Sequence, residues 1–108
     1  MIEIEGNIWD YFSIDNWVVI TTNGAVLEFL EQEHLVAFPT KHNWYDATPD
    51  IKLIEEGLKE LSSHTGIFYM PRLGCGNGHL NWEEQVQPLM KQYLVSDRFR
   101  IVTPRRIA

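Results

Sequence analysis

The order of apolar and polar positions divides the chain into short strands and two helices. Residues 1–8 (MIEIEGNI) alternate apolar and acidic side chains, as a half-buried or edge strand does. Gly6-Asn7 marks a bend there. Trp17 to Thr22 is a β-branched apolar run, the pattern of a strand buried on both faces, and Asn23-Gly24 ends it. Residues 25–39 fit two readings: a short helix followed by a strand, or a hairpin pairing VLEFL with HLVAFP across EQE. Ile51, Ile54, Leu58 and Leu61 fall on one helical stripe, with Thr48 read as its N-cap and Pro49 as its first residue. Lys52–Glu56 and Glu55–Lys59 are spaced as pairs on its outer face.

Ile67 to Met70 reads as another buried strand, followed by the glycine-rich PRLGCGNGHL. Asn81 with Glu84 three residues on is a capping-box pattern for a second helix. Val86, Leu89, Met90, Tyr93 and Leu94 supply its apolar face, and Pro88 is expected to bend it. Phe99 to Thr103 is the last strand. Strands alternating with helices imply an α/β fold with a parallel sheet and right-handed crossovers. Ligands of such sheets bind at the carboxyl ends of the strands. Asn23-Gly24, Thr40-Lys41 and the 71–80 loop all follow strand ends, so they are expected on one edge.

Composition narrows the classes. The 108 residues are 44% hydrophobic and 22% charged, so residues 1–108 are read as a single globular domain rather than a disordered chain. Such a chain buries roughly 65% of its unfolded surface. No apolar run is long enough to span a bilayer, and MIEIEG is not a signal peptide. The lone Cys75 excludes an internal disulfide, which makes a cytoplasmic location the expectation. The net charge of −6 argues against general nucleic-acid binding. Residues 1–40 hold seven acidic side chains and no Lys or Arg, whereas Arg98, Arg100, Arg105 and Arg106 gather at the end. That basic end is read as a solvated tail, with a phosphate contact as the alternative.

The strongest chemical signal is Gly74-Cys75-Gly76-Asn77-Gly78, between a strand and a helix N-terminus. Glycines let backbone N–H groups close on an anion, and the helix dipole adds positive charge. The run matches neither the P-loop nor the dinucleotide fingerprint. A tight turn without a ligand accounts for the spacing equally well. Cys75 is read as a small buried residue rather than an activated thiolate. Lys41 follows a strand and could reach a phosphate or take part in acid–base chemistry; a solvated lysine is the alternative. The four histidines share no ligand spacing, so neither a metal nor a cofactor is implied. Trp17 and Trp82 are assigned to the core. Trp44 and Tyr45 stand in the loop after Lys41, where they either stack on a base or pack on the neighbouring helix.

Together these motifs resemble the macro domain, an ADP-ribose-binding family, over nearly the whole chain. Glu5-Gly6-Asn7-Ile8 resembles the family's Gly-Asp-Ile strand end, whose acidic residue contacts the adenine amino group; here that residue is Asn7. Thr21-Thr22-Asn23-Gly24 resembles the strand ending in the Asn that contacts the distal ribose. Pro71 to Trp82 is similar to the phosphate-binding loop and its following helix. Phe38-Pro39-Thr40-Lys41-His42-Asn43-Trp44 is similar to the branch that removes ADP-ribose from DNA or carboxylate side chains, in which the lysine is catalytic. Relatives acting on glutamate-linked ADP-ribose pair this lysine with an aspartate at the position of Gly78; DNA-acting relatives have Gly there.

The resemblance also shows a departure. The family carries a first glycine-rich loop and a long helix after the Asn, whereas here Gly24 runs straight into Ala25-Val26. This favours the hairpin reading of 26–39 and a shortened macro-domain-like fold. The expected fold has a mixed, mostly parallel sheet of about five or six strands with two main helices. The resemblance implies a ligand set of Asn7, Ile8, Asn23, Gly24, Gly74, Cys75, Gly76, Asn77, Gly78 and His79, with Lys41 catalytic. It also implies lower affinity for ADP-ribose. A bared sheet face would then serve a homodimer or partner protein. The alternative is a degenerate macro domain that works as a protein-interaction module.

Overall fold

The computed structural model describes residues 1–76 and 79–105. The strands are β1 (Ile2–Glu5), β2 (Trp17–Asn23), β3 (Glu28–Leu30), β4 (Leu35–Lys41), β5 (Phe68–Met70) and β6 (Phe99–Thr103). The helices are α1 (Ile51–Ser62) and α2 (Gln87–Tyr93). The sheet order is β1-β6-β5-β2-β4-β3. Only β3 is antiparallel, paired with β4 through Glu28↔Ala37, Phe29↔Val36 and Leu30↔Leu35. This is the hairpin, and no helix intervenes between β2 and β3.

Strand alternation sorts the sheet into two unequal faces. Val19, Val36, Phe38, Phe68, Met70, Phe99 and Ile101 form one face, fully buried with Ile54, Leu58 and Leu61 of α1 and with Val86, Met90 and Leu94. Both helices lie on this face because the chain moves in the same direction across the sheet in each crossover, β4 to β5 and β5 to β6. Gly57 allows the close approach of α1. A Cβ at this position would lie 2.5 Å from Phe38 Cζ.

Among the described residues the opposite face has no helix of comparable length. A single 3₁₀ turn, Ile8–Tyr11, crosses it, and Tyr11 stacks on Tyr69 of β5 with ring centroids 4.4 Å apart. Trp9, Phe12 and Ile14 of this segment stay largely exposed, Ile14 at 78%. The alternating pattern of residues 1–8 therefore ends as a strand at Glu5. Asn7 caps the turn by accepting the Trp9 N–H at 3.0 Å.

Several local expectations change. The α1 cap is Asp50 rather than Thr48, and Pro49 lies outside the helix. Asp50 Oδ1 accepts the N–H groups of Lys52 and Leu53 at 2.9 and 3.4 Å, while its own N–H is tied to the Thr40 carbonyl. A carboxylate so held is a stronger cap than the Thr48 hydroxyl two residues earlier. The buried stripe runs through Leu53, Ile54, Gly57, Leu58 and Leu61, leaving Ile51 outside. Glu55 does not pair with Lys59; it accepts the Tyr93 hydroxyl at 2.6 Å and joins α1 to α2.

Before Pro88 the second helix opens as a π-helical turn, Trp82–Val86, so the proline falls in the first turn of α2, where its missing N–H costs little. Asn81 caps that turn by accepting Glu84 N–H at 2.8 Å. The return bond to Asn81 N–H comes from Gln85 rather than Glu84, because the wider turn carries the side chain one position on. The basic end is no solvated tail over its first half. Arg98 donates to the Gly66 and Ser62 carbonyls and Arg100 to the Tyr69 hydroxyl.

The cap predicts a pH signature. The N–H of Lys52, with His42 beside it, holds the Asp50 carboxyl below its ordinary value of 3.8. A depressed pKa contributes stability that is present above the unfolded value and is lost as pH falls through the folded one. Asp50→Ala is expected to cost about 1 kcal/mol at neutral pH, with the difference from the parent vanishing in acid. Thermal denaturation of both proteins across pH 2–7 measures it (roughly, the window in which a carboxyl titrates).

Candidate functional site

All five parallel strands end on one edge, which brings Glu5, Asn23, Lys41, Met70 and Thr103 to the same side of the molecule. Lys41 reaches its place through a bulge. β2 and β4 pair residue for residue up to Thr22↔Pro39, and the next partners are Asn23↔Lys41. Thr40 is the extra residue. It is buried, the only buried polar residue among those described, and its carbonyl accepts from Asp50 N–H. In unbroken register Asn23 would face Thr40, and Lys41 would project to the other side of the sheet. The Gly24 N–H donates to the Lys41 carbonyl at 2.8 Å and holds the corrected pairing.

Asn23 and Lys41 open onto a cavity of about 660 Å³, within the usual size of small-molecule sites. Thr40, Trp44, Gly74, Cys75 and Gly76 line it as well. Its described lining holds no carboxylate, in a chain with fifteen acidic residues; its only charged residues are Lys41 and Arg72. Arg72 lies with Cζ 4.9 Å from the Trp82 ring centroid and its Nη2 3.9 Å from Glu3 Oε1. Its Nε is buried without a hydrogen-bond partner among the described residues. The cavity is therefore electropositive within an acidic protein, which suits an anion.

The 71–76 loop forms one wall. Gly74 has φ +73°, and a Cβ there would lie 2.8 Å from Leu80 Cδ1, so the sequence needs glycine at this turn. The Leu80 N–H closes the loop onto the Gly74 carbonyl at 3.1 Å. At Gly76 a Cβ meets nothing within 4 Å, because this glycine stands at the open side. Burial pushes the Cys75 thiol above its ordinary pKa, as expected of a neutral packing residue rather than a nucleophile.

A second cavity, of about 680 Å³, adjoins the first across Pro71, Val102 and Pro104. Asn7 and Ile8 line it, with Glu5, Trp9, Asp10 and Arg105. The two cavities thus collect Asn7, Ile8, Asn23, Lys41, Gly74, Cys75 and Gly76. Gly24 supports Lys41 through its backbone rather than lining either space. His79 is exposed and lines neither cavity. Asn77 and Gly78, like Arg106, lie outside the described residues.

Trp44 lines the first cavity at 79% exposure, edge-on to Tyr45, so it is not packed away against a helix. The loop carrying it is held by the Asn43 N–H to Asp46 carboxylate bond and by His42 against Asp50. Of the core tryptophans, Trp82 is buried, whereas Trp17 is only half-buried, edge-on to Phe29. Sequence reasoning missed Arg72 and Thr40. Arg72 had a signal, a cation two residues before the glycine run; Thr40 had none, since a bulge leaves no mark in the apolar pattern. Among the described residues no group of three His, Cys, Asp or Glu side chains converges to hold a metal ion, and no helix is long and apolar enough to cross a membrane.

The fold itself has solved counterparts. The chain superposes on the macrodomain of Thermus aquaticus DarG with a TM-score of 0.71 and 20% identity, over 97% of each chain. It is similar to Thermosipho africanus DarTG, solved in complex with ADP-ribose, with a TM-score of 0.70 and 24% identity over 95% of this chain. It spans 42% of that second chain. No protein-family model matches the sequence, and neither does any curated protein. This α/β sheet with two helices is a compact macrodomain fold.

The two glycines of the loop separate by their surroundings. Gly74→Ala is expected to destabilise by roughly 1–3 kcal/mol, from its positive φ and its clash. Gly76→Ala is expected to stay within about 0.5 kcal/mol of the parent. Urea unfolding of the two variants checks the contrast.

Proposed function

We propose that the protein binds ADP-ribose or an ADP-ribosyl group across the two adjoining cavities. The observation that carries this reading is the cavity at Asn23 and Lys41, whose charged lining is entirely cationic and whose wall is the glycine loop. The base would occupy the space beside Asn7 and Ile8, where Trp9 offers an exposed ring. The diphosphate would lie along Gly74, Cys75 and Gly76, within reach of the Arg72 charge. Asn23 would orient the distal ribose. That a structurally similar chain was solved in complex with ADP-ribose supports this class of ligand.

Lys41 is paired with Asn23 across β2 and β4, and would lie beside the anomeric carbon of a ribose held there. We infer that it acts there in the hydrolytic removal of ADP-ribose from DNA or protein. Gly78, where a cooperating aspartate would be needed for glutamate-linked substrates, favours DNA. Hydrolysis requires that the reacting centre be held closely. The direct run from Gly24 into the hairpin leaves Asn23, Lys41 and the Trp44 loop to do this.

Lys41→Ala is expected to abolish release of ADP-ribose from modified DNA while calorimetric binding of ADP-ribose changes by less than about tenfold. Hydrolysis that survives the substitution removes the catalytic role. Absence of binding in the parent protein would favour the other reading, a protein-interaction module built on a degenerate site.

The thinly covered sheet face supports a second inference, that two copies associate through it. Phe12 and Ile14 lie exposed beside the 3₁₀ turn that crosses the face. Sedimentation at high protein concentration is expected to show a dimer, and a strictly monomeric species would overturn it.

A further inference from the structure

We propose that Trp44 is a stacking platform for the group to which ADP-ribose is attached, and that this group is an unpaired nucleobase. This rests on the reading above and names what lies beyond the ribose. The order of the strands sets the direction. Along the sheet the parallel strands run β1, β6, β5, β2, β4. At their carboxyl ends, in the same order, stand Asn7 after β1, the 71–76 loop after β5, Asn23 at the end of β2 and Lys41 at the end of β4. An ADP-ribosyl group laid along this edge has its adenine over β1, its diphosphate over β5 and its distal ribose over β2 and β4. Whatever is joined to the anomeric carbon then leaves the site past β4. The chain there is the 42–46 loop, from which Trp44 alone lines the cavity.

The state of Trp44 fits a stacking partner. It lines the cavity yet is 79% exposed, so at least one face of the indole is open. Its ring neighbour Tyr45 stands edge-on at 5.6 Å and is exposed as well. These are the two most exposed aromatic side chains among the described residues. Apolar surface left open beside a cavity marks a contact. The loop beneath is held at both ends. Asn43 N–H donates to the Asp46 carboxylate at 2.9 Å, Asp46 N–H donates back to the Asn43 carbonyl at 3.1 Å, and His42 lies against Asp50. The ring therefore needs little ordering when a partner arrives.

Charge favours a base as that partner. The protein carries a net charge of −6, and no Lys or Arg stands between Lys41 and Lys52. The two cations of the cavity, Lys41 and Arg72, face the ribosyl end and the diphosphate in this reading. A nucleic acid thus gains little here through its phosphates. Stacking on an aromatic ring needs no charge and accepts any base. A stacked base must offer a free face, so it is single-stranded or turned out of a duplex. A glutamate side chain carrying ADP-ribose has no ring to set against the indole.

Trp44→Ala and Trp44→Phe test this, each combined with Lys41→Ala so that the ligand persists. Because Trp44 is exposed, both are expected to keep the melting temperature of Lys41→Ala. The three proteins are titrated with free ADP-ribose, with a single-stranded oligonucleotide carrying ADP-ribose on one base, and with a peptide carrying it on glutamate. Lys41→Ala alone is expected to bind the modified oligonucleotide roughly tenfold more tightly than ADP-ribose. Trp44→Ala is expected to remove most of that advantage, and Trp44→Phe to keep most of it. Equal losses for all three ligands would put Trp44 against the ribose and overturn the proposal. An advantage shown by the modified peptide and lost with Trp44 overturns it too, in favour of a protein substrate. An oligonucleotide bound no more tightly than ADP-ribose overturns the proposal while leaving ADP-ribose binding intact. Failure of the parent protein to bind ADP-ribose overturns the reading above, and this proposal with it.

Discussion

One pairing irregularity sets the geometry on which the rest of the site depends. β2 and β4 run parallel in register until Thr40, where β4 gains a residue. Side chains alternate across a sheet with a period of two, so a single extra residue exchanges the faces of everything after it. That exchange puts Lys41, rather than Thr40, opposite Asn23. The surplus Thr40 is not wasted. Buried at the cavity wall, it accepts the Asp50 N–H through its carbonyl, and Asp50 in turn caps α1. Bulge, cap and helix start are thus one connected unit, and the position of the lysine is tied to the packing of α1 on the sheet.

That packing is tight where it matters. Gly57 lets α1 settle onto Phe38, two residues before the bulge, with no room for a side chain. On the far side of the cavity the glycine loop is pinned by Leu80 against Gly74, and the π-helical turn beneath it is fixed to β1 by the Trp82–Glu3 and Gln87–Glu3 hydrogen bonds. Glu3 therefore neutralises Arg72 in part and orients the start of the second helix. The result is an electropositive hollow in a protein of net charge −6. Opposite it, the second face of the sheet relies on one short turn and the Tyr11–Tyr69 stack. The larger cluster packs on one face, while on the other Val18, Tyr69 and Val102 are buried and the apolar exposure falls on Phe12 and Ile14 beside the turn.

Asn7 ties the end of β1 to the turn that crosses the second face of the sheet. Its side-chain oxygen accepts the Trp9 N–H and caps the 3₁₀ turn, where Asp or Ser would serve as well.

The sequence by itself determined the order of the main strands and helices and the edge at which the candidate residues meet, whereas for 25–39 it left helix-then-strand and hairpin open until the family resemblance favoured the hairpin. Those features follow from strong local signals: β-branched runs, the NG and PRLGCG turns, the apolar period of α1 and the Asn81 cap. It marked the 74–78 glycine run as a turn, but the need for glycine at 74 itself came from the structure, where its φ is +73° and Leu80 stands close. It did not determine the Asp50 cap, because Thr48 and Asp50 both satisfy the local rule and the bond from Asp50 N–H to the Thr40 carbonyl decides between them. Nor did it reveal the bulge, the 3₁₀ turn, or the partition of Arg98 and Arg100 into structure. Each of these depends on a partner distant in the chain, and a pattern read over neighbouring positions carries no information about which distant group will arrive.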